Sequence, residues 1–583
     1  MIPTNVETAD APRRASAFGQ VDVWLGLCVV LVPFAVAAIM VLGHAPATAI
    51  RDHALTELRV RDVGLHPVLL GLYSRDAWSH PGPLVFFTLA APYRIFASST
   101  SGLVVGALGV NAVSIAGMTA IARRIGGRRA ALTVLVGMSV LVHALGADLV
   151  RNPWVLFISV FPFGLFCCVI WALVMGRAWA LPVAAVVGSW LVQTHVGYAP
   201  TVVPMLFVGT VVAVVTARRS PDRQPRARFA RGSLLAVVVL AVVWALPIWD
   251  QLFGSRNMAT TINWFSEARD GVHTLGEGMR VVFGQFAAVP DWVTGERRIA
   301  AFNGETLLRT RWLVPVFLAP FMAAVAVAWR RRNVAILRLG LVVGGAVVLG
   351  VVAVSRTIGI MYEYRLLWTW VVAALAGVVV VWTVWEVAAR RWPRADMVLV
   401  PVVLLGLVAL GGVEVAQAVN APRPDWDSPA LAAAVRQLVP KLDRAGGQIV
   451  LRSESVAGEW SLQGLLLALD KDGFDVRVRS ETGGLYPKRF VVGAGPIQAR
   501  LLVVGGSELG TLDRRRQHQV IAYGGSRTLD REVAMLHARA TKADRLAQRF
   551  AAGEISELQY GRAIVRLTSG VDPAVAILRT GPR

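Results

Sequence analysis

Residues 21–43 read VDVWLGLCVVLVPFAVAAIMVLG, an apolar run broken by one carboxylate, Asp22, near its start. A membrane-spanning helix needs about 20 such residues, so this stretch predicts a first span. It is too long and continuous for a signal peptide, and no small-residue cleavage site follows it. Residues 1–20 are therefore expected to stay in the cytoplasm ahead of an uncleaved span. Ten further apolar runs follow, at about 102–122, 130–148, 154–175, 179–193, 199–216, 233–253, 312–329, 335–355, 365–387 and 397–418. The expected fold is a polytopic α-helical membrane protein of about eleven spans over 21–419.

Composition supports a lipid solvent. Of the 583 residues, 55% are hydrophobic and 16% charged, and mean hydropathy is +0.57. A soluble domain carries about 25% charged residues. The formal charge of +22 would ordinarily suggest nucleic acid. Here the arginines sit in short clusters between apolar runs, where the positive-inside rule places them, so no nucleic-acid partner is expected. Cys28, Cys167 and Cys168 all lie in apolar runs and form neither a zinc spacing nor a disulfide framework. No P-loop, HExxH or CxxC motif occurs, which argues against an ATP-driven pump.

The arginines also orient the chain. With the N-terminus inside, Arg13 and Arg14, the cluster from Arg123 to Arg129, Arg177, the stretch from Arg218 to Arg231, Arg330 to Arg332, and Arg390 to Arg394 all fall on the cytoplasmic side. An odd number of spans then leaves the C-terminus outside. Residues 83–97 are apolar but contain Pro92, Tyr93 and Arg94. Counting them as a span would invert everything downstream, so they are read as a juxtamembrane helix in the first outer loop, 44–101. A second long outer segment covers 254–311. Beyond 420 spans cease, and strands at 448–451, 474–478 and 501–504 with a helix at 459–469 and mostly helical sequence over 527–566 predict an extracytoplasmic α/β domain over 420–583. Trp426 and Trp460 there are candidates for stacking on a ligand ring, with core packing the stronger reading for Trp460.

The first outer loop holds most of the candidate chemistry. Asp52 is the first carboxylate after the first span, and Glu57 and Asp62 follow it on a predicted surface helix. A carboxylate held beside the bilayer can take a proton from a hydroxyl. It can equally cap the helix, and the residues alone leave both readings open. Further along, 71–84 reads GLYSRDAWSHPGPL, where His80 is a candidate catalytic group or a loop hydrogen-bonder. Other outer turns carry Arg151, His195, Arg356, Tyr362 and Arg365. Ionisable groups at membrane depth are functional candidates, although groups near helix ends also snorkel to the interface.

An acidic residue soon after the first span, a surface helix, and then GxYSRxxWxHPGPL leading into a further helix resemble the GT-C superfamily of membrane glycosyltransferases. Cell-wall arabinofuranosyltransferases and protein mannosyltransferases belong to it. The resemblance implies transfer of a sugar, arabinose or mannose foremost, from a polyprenyl-phosphate donor at the outer face of the cytoplasmic membrane. The acceptor would be an envelope glycan, lipid or protein. It implies a base among Asp52, Glu57, Asp62 and His80. It also implies a donor-phosphate and substrate site among Arg75, Arg151, His195, Tyr362, Arg356 and Arg365. The side-by-side acidic pair of some members is replaced here by Arg51-Asp52-His53, and a divalent metal is left open. The competing readings are a transporter or flippase of a lipid-linked sugar, and a non-catalytic scaffold. A transporter would show internal repeats and broken helices, and neither is evident.

Overall fold

The computed structural model describes residues 18–580, apart from 75, 220–222, 268–272, 296–313, 360, 480–483, 557–558, 560–562 and 564–573. Its helices follow the apolar runs. They are α1 (Phe18–Leu42), α2 (Arg51–Asp62), α3 (Leu84–Ile95), α4 (Thr100–Val150), α5 (Val160–Val174), α6 (Ala180–Thr194), α7 (Ala199–Arg219) and α8 (Arg223–Phe253). The outer helices α9 (Asn257–Glu267) and α10 (Leu275–Gly284) precede α11 (Leu318–Arg330), α12 (Val334–Ser355), α13 (Trp368–Arg391) and α14 (Ala395–Val419). Among the described residues, 8 helical segments are long and apolar enough to cross a membrane, and Leu84–Ile95, Ala180–Thr194 and Leu318–Arg330 are shorter apolar helices. The chain is a multi-pass helical membrane protein.

One of those eight segments is two helices. A straight α4 of 51 residues would measure about 77 Å, more than twice the ~30 Å hydrocarbon core. Instead Asn111 Nδ2 donates to the Val150 carbonyl at 2.8 Å, so the chain doubles back on itself. The break is at Gly127, whose φ of +75° is a left-handed backbone that glycine tolerates best. A side chain at the adjacent Gly126 would run into the Trp382 ring. The two expected spans at 102–122 and 130–148 are thus both present, joined by a tight glycine turn.

That turn marks one end of the bundle. Arg128 pairs with Asp22 at 2.9 Å and Arg129 with Asp396 at 2.9 Å and Glu386 at 3.0 Å. These residues come from the start of α1, the end of α13 and the start of α14. α2, α3 and the C-terminal sheet therefore lie at the other end. At 12 residues, α3 is about 18 Å long, too short to span.

The sheet comprises β1 (Gln448–Ser453), β2 (Val476–Val478), β3 (Ile497–Gly505), β4 (Val520–Gly524) and β5 (Val575–Arg579), in the order β2-β1-β3-β5-β4. β1 runs parallel to β2 and β3, and β5 runs antiparallel to β3 and β4. Helices α15 (Pro429–Leu438), α16 (Val456–Lys471) and α17 (Leu529–Ala551) accompany it. The three expected strands are present, and β4 and β5 are additions. Ala574–Leu578 are all buried, so β5 carries no period-two alternation by which to find it. The helix expected over 527–566 is α17, and most of the chain from 557 to 573 lies outside the described residues.

α2 departs from expectation. Its charges predict a helix lying on the membrane surface, but His53 through Leu58 are all buried. It is sandwiched between α3 on the membrane side and α16 on the sheet side.

Candidate functional site

Segment 48–53 is stitched to the start of the C-terminal region. The Ile50 amide donates to the Trp426 carbonyl at 3.0 Å, and the Ser428 amide to the Thr48 carbonyl at 3.0 Å. Arg51 has φ +58°, a left-handed backbone costly for a non-glycine residue. Its guanidinium pairs with Asp425 at 3.1 Å and lies 4.1 Å over the Trp460 ring. His53 stacks on Trp426 with centroids 4.7 Å apart, and its Nε2 meets Asn152 Oδ1 at 2.7 Å. Burial pushes the His53 pKa down to about 4, with Arg51 adding to the fall against Asn152 and Asp425. These contacts fix the first turn of α2 on both sides. Trp426 and Trp460 are thereby occupied by His53 and Arg51 rather than offered as open platforms for sugar rings.

Asp52 is half-buried between them. The N-cap position belongs to Ile50, which supplies no side-chain cap. Asp52 Oδ2 instead accepts a hydrogen bond from Trp154 Nε1 at 2.9 Å. Trp154 packs against Tyr364 with centroids 5.1 Å apart. Tyr364 stacks on Tyr362 at 5.1 Å, and the Arg365 guanidinium lies 5.6 Å from the Tyr362 ring. A carboxylate and a guanidinium are thus joined by one continuous aromatic wall.

The GLYSRDAWSHPGPL loop closes on the same place. It folds as a small hairpin, with the Gly71 amide donating to the His80 carbonyl at 2.9 Å and the His80 amide to the Leu72 carbonyl at 2.8 Å. Gly82 lies against Gln193, whose side chain leaves no room for a Cβ there. His80 and His195 pack with centroids 4.4 Å apart. Burial, helped by the Arg365 charge, pushes the His80 pKa down to about 3. His195 is held well below the ordinary histidine range by burial, His80 and Arg365. Both imidazoles are therefore neutral at pH 7, and Arg365 is the cation of this corner. Ser79 is tied to Asn257 by a pair of hydrogen bonds of 2.7 and 2.8 Å, so α9 braces the loop.

The remaining candidates lie elsewhere. Glu57 is fully buried and accepts from Tyr93 at 3.0 Å and Thr100 at 2.7 Å, and it pairs with Lys471 of α16. Asp62 pairs with Arg489 at 2.8 Å. The three carboxylates of α2 therefore do not converge: Asp52 faces the aromatic wall, and the other two join α2 to α3, α4 and the sheet region. Arg151 pairs with Asp148 at 2.6 Å and donates to the Pro422 carbonyl. Arg356 is exposed at the end of α12. Arg75 lies outside the described residues. Trp154 and Tyr364, which link Asp52 to Tyr362 and Arg365, were not among the candidates read from the sequence. The available signal was an aromatic residue beside a polar one in two outer turns, Asn152-Pro153-Trp154 and Glu363-Tyr364-Arg365. Among the described residues, no three His, Cys, Asp or Glu side chains group as a metal would require.

No family model and no curated protein matches the chain. Among solved structures, ArnT from Cupriavidus metallidurans bound to undecaprenyl phosphate superposes with a TM-score of 0.42 at 16% identity, covering 84% of this chain and 93% of that one. The apo form of the same protein gives 0.45 at 14% identity over the same shares. The Archaeoglobus fulgidus oligosaccharyltransferase AglB, in complex with an inhibitory peptide and a dolichol-phosphate, gives 0.38 at 13% identity, covering 75% of this chain and 63% of that one. These are likenesses of layout alone.

Proposed function

We propose that this protein is a GT-C-type glycosyltransferase of the cytoplasmic membrane. It transfers a sugar from a polyprenyl-phosphate donor to an envelope acceptor at the outer face. One observation carries the reading: Asp52 and Arg365 stand on the same aromatic wall, at the end of the bundle opposite the Arg128–Asp22 and Arg129–Asp396 pairs. By the positive-inside rule that end is the outer one.

Asp52 takes the proton of the acceptor hydroxyl. The acceptor oxygen bonds to the anomeric carbon as the bond from that carbon to the carrier phosphate breaks. The negative charge gathered on the departing phosphate is met by Arg365, whose planar fork suits paired hydrogen bonds to phosphate oxygens. Neutral His80 and His195 leave that cation without positive competitors. Tyr362, Tyr364 and Trp154 offer flat faces to the sugar. Since the phosphate is already the leaving group, no nucleotide site is needed.

Mass spectrometry of envelope glycans and lipids from a deletion strain tests the proposal. The expected result is loss of one sugar residue from an envelope component, with the matching polyprenyl-phosphate sugar accumulating on the outer leaflet. An unchanged envelope, or accumulation confined to the inner leaflet as a missing flippase would give, contradicts it.

A further inference from the structure

The sheet has a second face, turned away from α16 and α2. Side chains alternate across a strand. Ile449, Leu451, Leu501 and Val503 join the large core, while Val450, Arg452, Arg500 and Leu502 point the other way. The register sets Arg500 opposite Val450, and Leu502 opposite both Arg452 and Leu578. Arginines thus rise directly beside an apolar strip. Arg515 and Arg516 reach over from the segment before β4, and Arg479 from the end of β2. Together these residues enclose a cavity of about 400 Å³.

The charge there is unbalanced. Among the described residues, Arg452, Arg500, Arg515 and Arg516 line the cavity against two carboxylates, Glu454 and Asp513. Glu454 is shared between Arg452 at 3.8 Å and Arg516 at 3.5 Å. Among the described residues, Arg500 and Arg515 form no ion pair. Guanidinium groups gathered around one space repel one another unless an anion occupies it. Their fork geometry matches carboxylate and phosphate. Val450, Leu502 and Leu578 close the floor but are 4, 2 and 0% exposed, so what the cavity offers a ligand is its guanidinium groups with Gln519 and Thr580, polar partners for the hydroxyls of a sugar. The volume lies at the small end of ligand cavities, about 300–1,000 Å³, which suits a charged sugar unit.

We propose that this cavity binds an anionic sugar, one carrying a carboxylate or a phosphate ester. It would hold the acceptor glycan some distance from the reacting centre. Only the identification of that glycan as the acceptor rests on the transferase reading.

Binding is measured by calorimetry on the full chain in detergent, so no turnover is needed and the two readings fail separately. The probes are glucuronic acid and glucose 6-phosphate, with glucose and inorganic phosphate as comparators. At least one charged sugar should bind about tenfold or more tightly than either comparator, and the preferred one identifies the anion. Arg500→Gln with Arg515→Gln should weaken it by about tenfold or more. Arg549→Gln, a cation outside the cavity paired with Glu554 at 3.0 Å, should leave it unchanged. Binding of inorganic phosphate as tight as that of glucose 6-phosphate would reduce the cavity to a simple anion site and overturn the sugar assignment. Equal binding of glucose and the charged sugars, or undiminished binding by a folded double variant, would overturn it as well.

Discussion

Asp52 owes its position to residues far from it in the chain: Trp154, 102 positions away, holds its carboxylate, and Asp425 and Trp460 hold the neighbouring Arg51. Order along the chain was enough to single out Asp52, as the first carboxylate after the first span. It could not reveal Trp154 or Tyr364, because their partnership with Asp52 exists only in the tertiary fold. Trp154→Phe keeps the ring but removes the indole donor, so kcat should fall by about tenfold while the melting temperature changes little. An unaltered kcat would remove Trp154 from the account. Histidine protonation supplies a test by pH. His53 and His80 have folded pKa values of about 4 and about 3, below the ordinary 6.5. As pH drops below 6.5 the unfolded chain takes up these protons and the folded chain does not. Stability is then lost toward pH 4 and pH 3, by up to about 1.4 kcal/mol per pH unit for each histidine. Melting should come at lower temperature at pH 5 than at pH 7, and His80→Gln should narrow the gap. A gap of the same size in that variant would show that His80 is not buried neutral.

At the scale of elements, α2 does two jobs with its two ends. The first turn presents Asp52, and the rest docks the sheet region through Glu57 with Lys471 and Asp62 with Arg489. Removing one partner of a buried ion pair costs about 3–5 kcal/mol, so Glu57→Gln should lower stability by about 3 kcal/mol, because Lys471 keeps some water. Transfer per folded molecule should persist, measured as activity normalised to protein that survives size-exclusion chromatography. If Glu57→Gln folds normally and is inactive, then Glu57, not Asp52, is the base. The turn after α12 separates its two arginines in the same way: Arg356 is exposed and Arg365 faces the histidines. Donor affinity should drop sharply in Arg365→Ala and stay near normal in Arg356→Ala, and the reverse order would reassign the phosphate site. Apolar runs made the membrane helices legible, including both halves of α4. The burial of α2 was not legible, since its sequence RDHALTELRVRD carries the charges of a surface helix and reveals no partner for them. β5 was missed because a strand buried along most of its length lacks a period of its own, and β4 because its five residues, Val520–Gly524, are too few to show one.

Taken whole, the molecule has one apolar core running from the membrane helices through α2 into the first face of the sheet. A truncation after 420 should therefore do more than weaken acceptor binding. It removes Asp425 and Trp460 from Arg51, Trp426 from His53, Lys471 from Glu57 and Arg489 from Asp62, and the remaining chain should lose both stability and transfer. The arginine pattern made the two ends of the bundle legible, because charge beside lipid is confined by the cost of crossing it. The joining of sheet to bundle could not be read from the sequence, since it depends on pairs such as Arg489–Asp62 that are separated by most of the chain. The central claim is that Asp52 is the base of a transfer reaction at the outer face. Its most direct test is complementation of a deletion strain with Asp52→Asn, at matched membrane abundance and melting temperature, followed by mass spectrometry of the envelope glycans. Asn keeps the hydrogen bond from Trp154 but cannot take the acceptor proton, so transfer should fall by about 10²- to 10⁴-fold and the missing sugar should stay missing. Restoration of the envelope to the wild-type composition at the wild-type rate by this variant would contradict the account.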